Sequence, residues 1–205
     1  CPMTTSWIGW TQLESFSTWH NVEYATKNNG FGGLDARLMI NSPLHQRHLE
    51  NLERWNKEGL FVYKGRGNHA DASFYSGECA ITMGSSGTLA NIRRNAKFEY
   101  ATSTLPYYEG TPDAPQNTAI GGASLWAMAG KPDAENRCVA EFFNFLSDPK
   151  VQAANHQRTG YLPVTMKAFE LSKESGYYDK NPGSDVAVKQ MLKTTEKSRG
   201  IRLGN

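Results

Sequence analysis

Gly84, Ser85, Ser86 and Gly87 stand between an apolar segment, "CAITM", and a stretch that reads as a helix, "TLANIRRNA". Two hydroxyls and two residues without a Cβ at a helix start suit an anion, because backbone N–H and side-chain O–H groups can both approach it closely. The same residues would serve equally as an ordinary turn capped by Ser86 or its neighbour. A nucleophile reading would take Ser86 with His69 or His156 as base, yet "GSSGT" lacks the G-x-S-x-G elbow and nothing in the sequence fixes a base beside it. The expectation is no catalytic residue and no enzyme.

Other reactive side chains point to less. His45 and His48 share a helix face in "HQRH", where Arg47 and Glu50 make a solvated face the expectation over a metal pair. "GRGNHAD", with His69 and Asp71, has no evident strand-to-helix setting for a phosphate and reads as a surface turn. The three cysteines, Cys1, Cys79 and Cys138, allow at most one internal pair and do not have zinc-site spacing. A bridge between Cys1 and Cys79 would need an oxidising compartment, and the sequence leaves it open. No metal and no cofactor are expected.

The elements that must position these groups alternate. "WTQLESFSTW" spaces Leu13, Phe16 and Trp19 at helical intervals, and "NSPLHQRHLENLERWNKEG" opens on Ser42-Pro43, sets Leu44, Leu49, Leu52 and Trp55 on one face and stops at Gly59. "DASFYSG" predicts a helical turn and "CAITM" a strand that delivers the chain to the glycine-serine turn. Beyond it, "FEYATSTLP" and "AIGGASLWAMA" read as strands, the second interrupted by a glycine pair. "DAENRCVAEFFNFLSDPKVQAANHQ" predicts two helices broken at Asp148-Pro149, and further helices follow over 166–174 and 184–192. Strands separated by helices predict an α/β fold.

With 205 residues, 39% of them hydrophobic, the chain can bury a substantial core. A formal net charge of +2 without a long single-sign run gives nothing that would suggest a nucleic-acid or membrane-surface binder, and charge is nearly silent on function. No apolar run reaches the roughly 20 residues of a membrane helix. The abrupt "CPMTTS" start and "GIRLGN" stop suggest truncation at both ends.

Several segments together resemble one family, the extracellular solute-binding proteins of ABC importers in their two-lobed, maltose-binding-like group. They are "SWIGWTQLESFSTWH", "KNNGFGG", "FYSGECAITMGSSGTLANIR", "DAPQNTAIGGASLWAM", "FFNFLSDP", "TGYLPVT" and "KNPGSDVAVKQML", in order over essentially the whole chain. The resemblance implies a two-lobed periplasmic-binding-protein-like α/β fold (class II), of which this chain would hold most of the second lobe and part of the first. Residues 1–86 and 149–205 would lie in the second lobe, and 87–148 would be a crossover segment completing the first. It further implies a periplasmic protein that captures sn-glycerol-3-phosphate in the cleft between lobes and hands it to transmembrane permease subunits. A monomer without nucleic-acid partners is expected, and glycerophosphodiesters or oligosaccharides are the alternative ligands.

Carried over by position, the cleft residues of the family fall on Trp7, Trp10, Ser85, Gly122 and Tyr161. The arginine that completes the family's site would lie a few residues past Asn205, Arg202 matching a different position, and a tyrosine, a glutamate and a serine would come from first-lobe residues outside this chain. A polyol phosphate needs apolar walls for its carbons and donors for its oxygens. Trp7 and Trp10 would wall the carbons and offer indole N–H groups, Ser85 and Tyr161 hydroxyls, and Gly122 an unobstructed backbone N–H. Without the frame of the family, the tryptophans and Tyr161 would read as packing residues and Gly122 as a strand bulge.

Overall fold

The protein was analysed as a computed structural model, which describes residues 1–198. A three-stranded parallel sheet in the order β2-β1-β3 lies at its centre, with β1 (Met3–Thr5) between β2 (Phe61–Val62) and β3 (Ile81–Met83). Met3 pairs with both Phe61 and Ile81, so all three strands point their carboxyl ends the same way. Parallel neighbours require crossovers, and helices supply them. The β1–β2 crossover begins with a π-helical turn over Trp10–Glu14 that runs into α1 (Ser15–Trp19). After α1 the chain passes a short turn, α2 (Thr26–Asn29), whose Lys27 and Asn28 are left-handed.

The crossover then returns along α3 (Pro43–Lys57), opened as predicted by Ser42, whose side chain caps His45 N–H, and by Pro43. The buried face of α3 is not the leucine row expected from the sequence. His45, His48 and Leu52, at i, i+3 and i+7, face inward, while Leu49 stays 44% exposed. α4 (Asp71–Tyr75) forms the helical part of the β2–β3 crossover, and Trp19, Phe16, Leu52, Phe61, Phe74 and Cys79 fill the core around the sheet. Cys1 and Cys79 are joined by a disulfide immediately before β1 and β3.

After β3 a 3₁₀ turn at Ser86–Thr88 leads into α5 (Leu89–Asn95). The two strands expected in "FEYATSTLP" and "AIGGASLWAMA" do not form: both stretches are irregular. β-propensity fixes a strand only when an edge is there to pair with. Residues 105–118 find side-chain partners instead: Trp19 Nε1 donates to Leu105 O at 2.8 Å, Gln190 Oε1 accepts from Leu105 N–H at 2.8 Å, and His20 Nε2 accepts from Tyr108 N–H at 2.9 Å. The first part of the expected crossover segment is thereby held on the sheet-bearing body.

From Ile120 onward the segment is bare. Ile120, Leu125, Trp126 and Met128 are exposed, Trp126 by 83%. α6 (Asp133–Ser147) has no buried residue, although Phe142 and Phe145 make it amphipathic. The break at Asp148 falls where expected: its carboxylate accepts from Lys150 N–H at 2.8 Å and starts α7 (Pro149–Thr159). α8 (Met166–Glu174), the short α9 (Tyr177–Lys180) and α10 (Val186–Met191) close the body. No helix among the described residues is long and apolar enough to cross a membrane, and no group of three or more metal-ligating side chains forms.

Candidate functional site

The parallel register brings the loops after β1 and β3 side by side at the carboxyl edge of the sheet, where open α/β sheets gather ligands. Ser6 N–H donates to Met83 O at 2.8 Å, and a Cβ on Gly84 would stand 3.4 Å from that of Ser6. Trp7 therefore leaves the edge beside Ser85. Its backbone is left-handed (φ 51°), its N–H bonds Gly67 O at 2.7 Å, and its ring lies over Gly67 while half of it faces solvent. Ser85 is the cap of the 3₁₀ turn, its hydroxyl oxygen accepting from Gly87 N–H at 3.2 Å. A capping hydroxyl spends a lone pair and keeps its proton, so Ser85 still offers a donor to an anionic oxygen.

Tyr161 arrives from the end of α7. Its ring sits on Gly87, where a Cβ would be 2.8 Å from it. The phenol is exposed and makes no hydrogen bond among the described residues. Trp10 faces the irregular segment, its ring against Gly121, where a Cβ would be 3.0 Å away. Gly122, next in the chain, holds φ 137°, a conformation only glycine adopts readily, with open space where its Cβ would be. Ser85 and Tyr161 thus meet at one turn, Trp10 stands against Gly121, the chain neighbour of Gly122, and Trp7 and Trp10 lie on one loop after β1. One expected role changes: the Trp10 indole N–H is already donated to Ala119 O at 3.2 Å, so Trp10 offers a ligand its ring but not its donor.

Two readings of the sequence are corrected behind this edge. "GRGNHAD" does connect a strand to a helix, β2 to α4, and its Gly67 is the residue under Trp7. A two-residue strand is too short to announce itself by alternation. At the head of α4, the buried Asp71 accepts from Ser6 Oγ at 2.6 Å and from Thr88 Oγ1 at 3.2 Å, so one carboxylate ties the β1 loop to the turn after β3. This tie had no local signal, because Ser6 and Thr88 lie 65 and 17 residues from Asp71.

The second correction concerns His45 and His48, which are neither a solvated face nor a metal pair. His45 is bonded to Ser17 Oγ at 2.8 Å and Ser42 Oγ at 2.6 Å. His48 stacks on Phe16 and bonds Gln12 Oε1 at 3.1 Å and Tyr108 Oη at 3.3 Å. Gln12 Nε2 donates to Thr5 Oγ1 at 3.1 Å, so its oxygen must accept from His48 Nε2–H, and the chain of bonds ends at the last residue of β1, next to the site loop.

Burial first, then the neighbouring His20 and His45, push the His48 pKa down to about 4; burial also lowers His20 and His45. Each binds its proton more weakly folded than unfolded. Stability contributed by these groups is therefore present above the unfolded value near 6.5 and is lost as pH falls toward 4. We expect up to about 3 kcal/mol of the loss over that window to come from His48, and His48→Gln to flatten the pH dependence of the urea midpoint. An unchanged slope between pH 6.5 and 4 in the variant would show that His48 is not the group responsible.

Residues 3–184 match the model of the bacterial extracellular solute-binding protein family. Over 207 aligned residues, 100% of this chain, the sequence is 51% identical to the sn-glycerol-3-phosphate-binding periplasmic protein UgpB of Yersinia enterocolitica and 50% identical to that of Salmonella typhimurium. The fold is similar to the crystal structure of UgpB from Mycobacterium tuberculosis in complex with glycerophosphocholine, with a TM-score of 0.76 and 25% identity over 94% of this chain and 46% of that one. The chain spans about half the length of the curated relatives it matches, 47% of each of the two named above.

Proposed function

The chain belongs to the bacterial extracellular solute-binding protein family, and from that premise we propose that it supplies one wall of a cleft that captures sn-glycerol-3-phosphate for an ABC importer. Its α/β fold is that of a periplasmic binding protein, held here in part. The family binds solutes, and its members act outside the cytoplasm. The observation that carries the proposal is the convergence of the Trp7–Trp10 loop, the Ser85–Gly87 turn and Tyr161 on one edge of the sheet. Trp7 and Trp10 wall the carbon skeleton, while Ser85 Oγ–H, the Gly122 N–H and the Tyr161 phenol donate to oxygen. Delivery to a membrane permease, a periplasmic location and action as a monomer without nucleic acid belong to the same proposal.

A glycerophosphodiester is the second reading. It is favoured by the relative solved with glycerophosphocholine and by the openness of the edge at Trp7 and Tyr161, which leaves room beyond the phosphate. We read residues 1–86 and 149–205 as second-lobe segments and 87–148 as the crossover segment completing the first lobe. The bare apolar face of α6 and of residues 120–128 supports this for the later part of the crossover.

Calorimetric titration of the longer, two-lobed chain with sn-glycerol-3-phosphate, glycerophosphocholine and maltose tests the ligand, and hydrolysis of any of them would favour Ser86 as a nucleophile, in a hydrolase of a sugar or phosphate ester, over binding. In that protein Trp10→Ala is expected to weaken sn-glycerol-3-phosphate binding by about 1 to 3 kcal/mol through lost stacking and buried area. The urea midpoint should change little. Normal affinity in a folded variant would make Trp10 a packing residue and remove it from the site.

A further inference from the structure

We propose that His156 is a positioning residue for the ligand site, holding the Tyr161 phenol over the Ser86–Gly87 turn; this rests on the reading that Tyr161 touches ligand. His156 lies in the last turn of α7 and is 1% exposed. Its Nδ1 is 2.6 Å from Tyr161 O, a carbonyl that can only accept, so Nδ1 carries the hydrogen and donates it. Its Nε2 is 2.9 Å from the Tyr178 hydroxyl and, in the neutral ring, accepts from it. Burial lowers the pKa of the ring, the bond to Tyr161 O works against that shift, and the nearby Arg93 adds to it. The imidazole is caged by the rings of Tyr177 and Tyr178, with centroids 5.8 and 5.7 Å away. Tyr177 is fixed in turn by Arg93, which donates to its hydroxyl at 2.9 Å, and by Gln157 O, which accepts from it.

A histidine near a helix C-terminus often bonds the last free carbonyls of its own helix. His156 instead reaches past the end of α7 to the carbonyl of the fifth residue on. Between them Gly160 turns left-handed (φ 84°) and lies so close to the turn after β3 that a Cβ would stand 2.6 Å from Ser86 O. The N–H of Tyr161 is tied back as well, to Thr159 Oγ1 at 3.1 Å. Both backbone groups of Tyr161 are thus anchored to α7, while its phenol is exposed and unbonded among the described residues. A rigid stem carrying a free donor is the arrangement a pre-organised site requires.

The test uses the two-lobed chain and two near-isosteres. His156→Asn places an amide N–H close to the Nδ1 position and can restore the bond to Tyr161 O; His156→Gln places it near Nε2 and leaves that carbonyl unpaired. Both variants lose the ring, so a merely structural role lowers their melting temperatures and affinities alike. We expect His156→Asn to keep its affinity for sn-glycerol-3-phosphate within about threefold and His156→Gln to lose about tenfold, the worth of one hydrogen bond. The loss in His156→Gln should not add to that of Tyr161→Phe in the double variant. Equal affinities for Asn and Gln, or additive losses, would overturn the positioning role. A Tyr161→Phe variant that binds normally would overturn the ligand role of Tyr161 and this proposal with it.

Discussion

Breaking the Cys1–Cys79 bond will destabilise the protein by about 4 to 5 kcal/mol, because the bond closes a separation of 78 residues that the unfolded chain would otherwise leave unconstrained. That is a large part of the 5 to 15 kcal/mol by which domains are usually stable. The location makes the effect specific. Cys1 and Cys79 sit just before β1 and β3, where Cys1 O accepts from Ala80 N–H and Pro2 O from Ile81 N–H, both at 2.9 Å. The bond pins the entry of the strand pair whose other end carries Trp7 and Ser85. Urea unfolding of Cys79→Ala against the parent, with and without reductant, checks it. Reductant should lower the parent's midpoint and leave the variant's unchanged, and mass spectrometry of the unreduced parent should find Cys138 as the thiol that reacts. Three reactive thiols, or a parent indifferent to reductant, would mean that the bond does not form. A bridge of this kind also fits an extracytoplasmic protein.

What the sequence announces and what it conceals differ by the range of the interactions involved. The start of α3 was legible because Ser42 and Pro43 act on the next few residues, and the Asp148-Pro149 break because cap and proline are adjacent. The glycine-serine turn was legible as a helix start for the same reason. The inward face of α3 was not, since His45 Nε2 and both His48 nitrogens are satisfied by Ser17, Gln12 and Tyr108, all distant in sequence, and only His45 Nδ1 has a local partner, Ser42. The failed strands make the same point: nothing in "FEYATSTLP" says that its backbone will be met at Leu105 by Trp19 and Gln190 rather than by a strand edge.

The site divides in the same way. The residue types at Trp7, Trp10, Ser85, Gly122 and Tyr161 came from the family frame, while their supports came only from the structure. The contacts of Asp71 with Ser6, of Gly67 with Trp7 and of Gly121 with Trp10 span 60 or more residues, which no local pattern records. Arg202, the last arginine of the chain, lies outside the described residues.

A chain of the relatives' full length will bind sn-glycerol-3-phosphate several decades more tightly than residues 1–205. Trp7 and Tyr161 are 50% and 55% exposed, so neither ring is covered by the rest of residues 1–198. The family frame places an arginine, a tyrosine, a glutamate and a serine outside this chain. Hydrogen bonds to charged groups contribute about 1.5 to 3 kcal/mol each, so losing even two or three of them costs roughly 10²- to 10⁶-fold in affinity. The longer chain should bind in the micromolar range or better, and residues 1–205 weakly or undetectably.

Ser85→Leu separates this account from one in which the missing half merely stabilises the fold. The apolar side chain removes the donor at the turn and crowds Gly87 and Tyr161, so it should shrink the gain in affinity conferred by the longer chain without abolishing folding. Titration of both chains and of the variant, with unfolding curves to show that each is folded, gives the answer. Equal affinity for the two chain lengths would mean that residues 1–205 hold a complete site at the carboxyl edge of the sheet. The bare face of α6 and residues 120–128 would then need an explanation other than a second wall built from the rest of the protein.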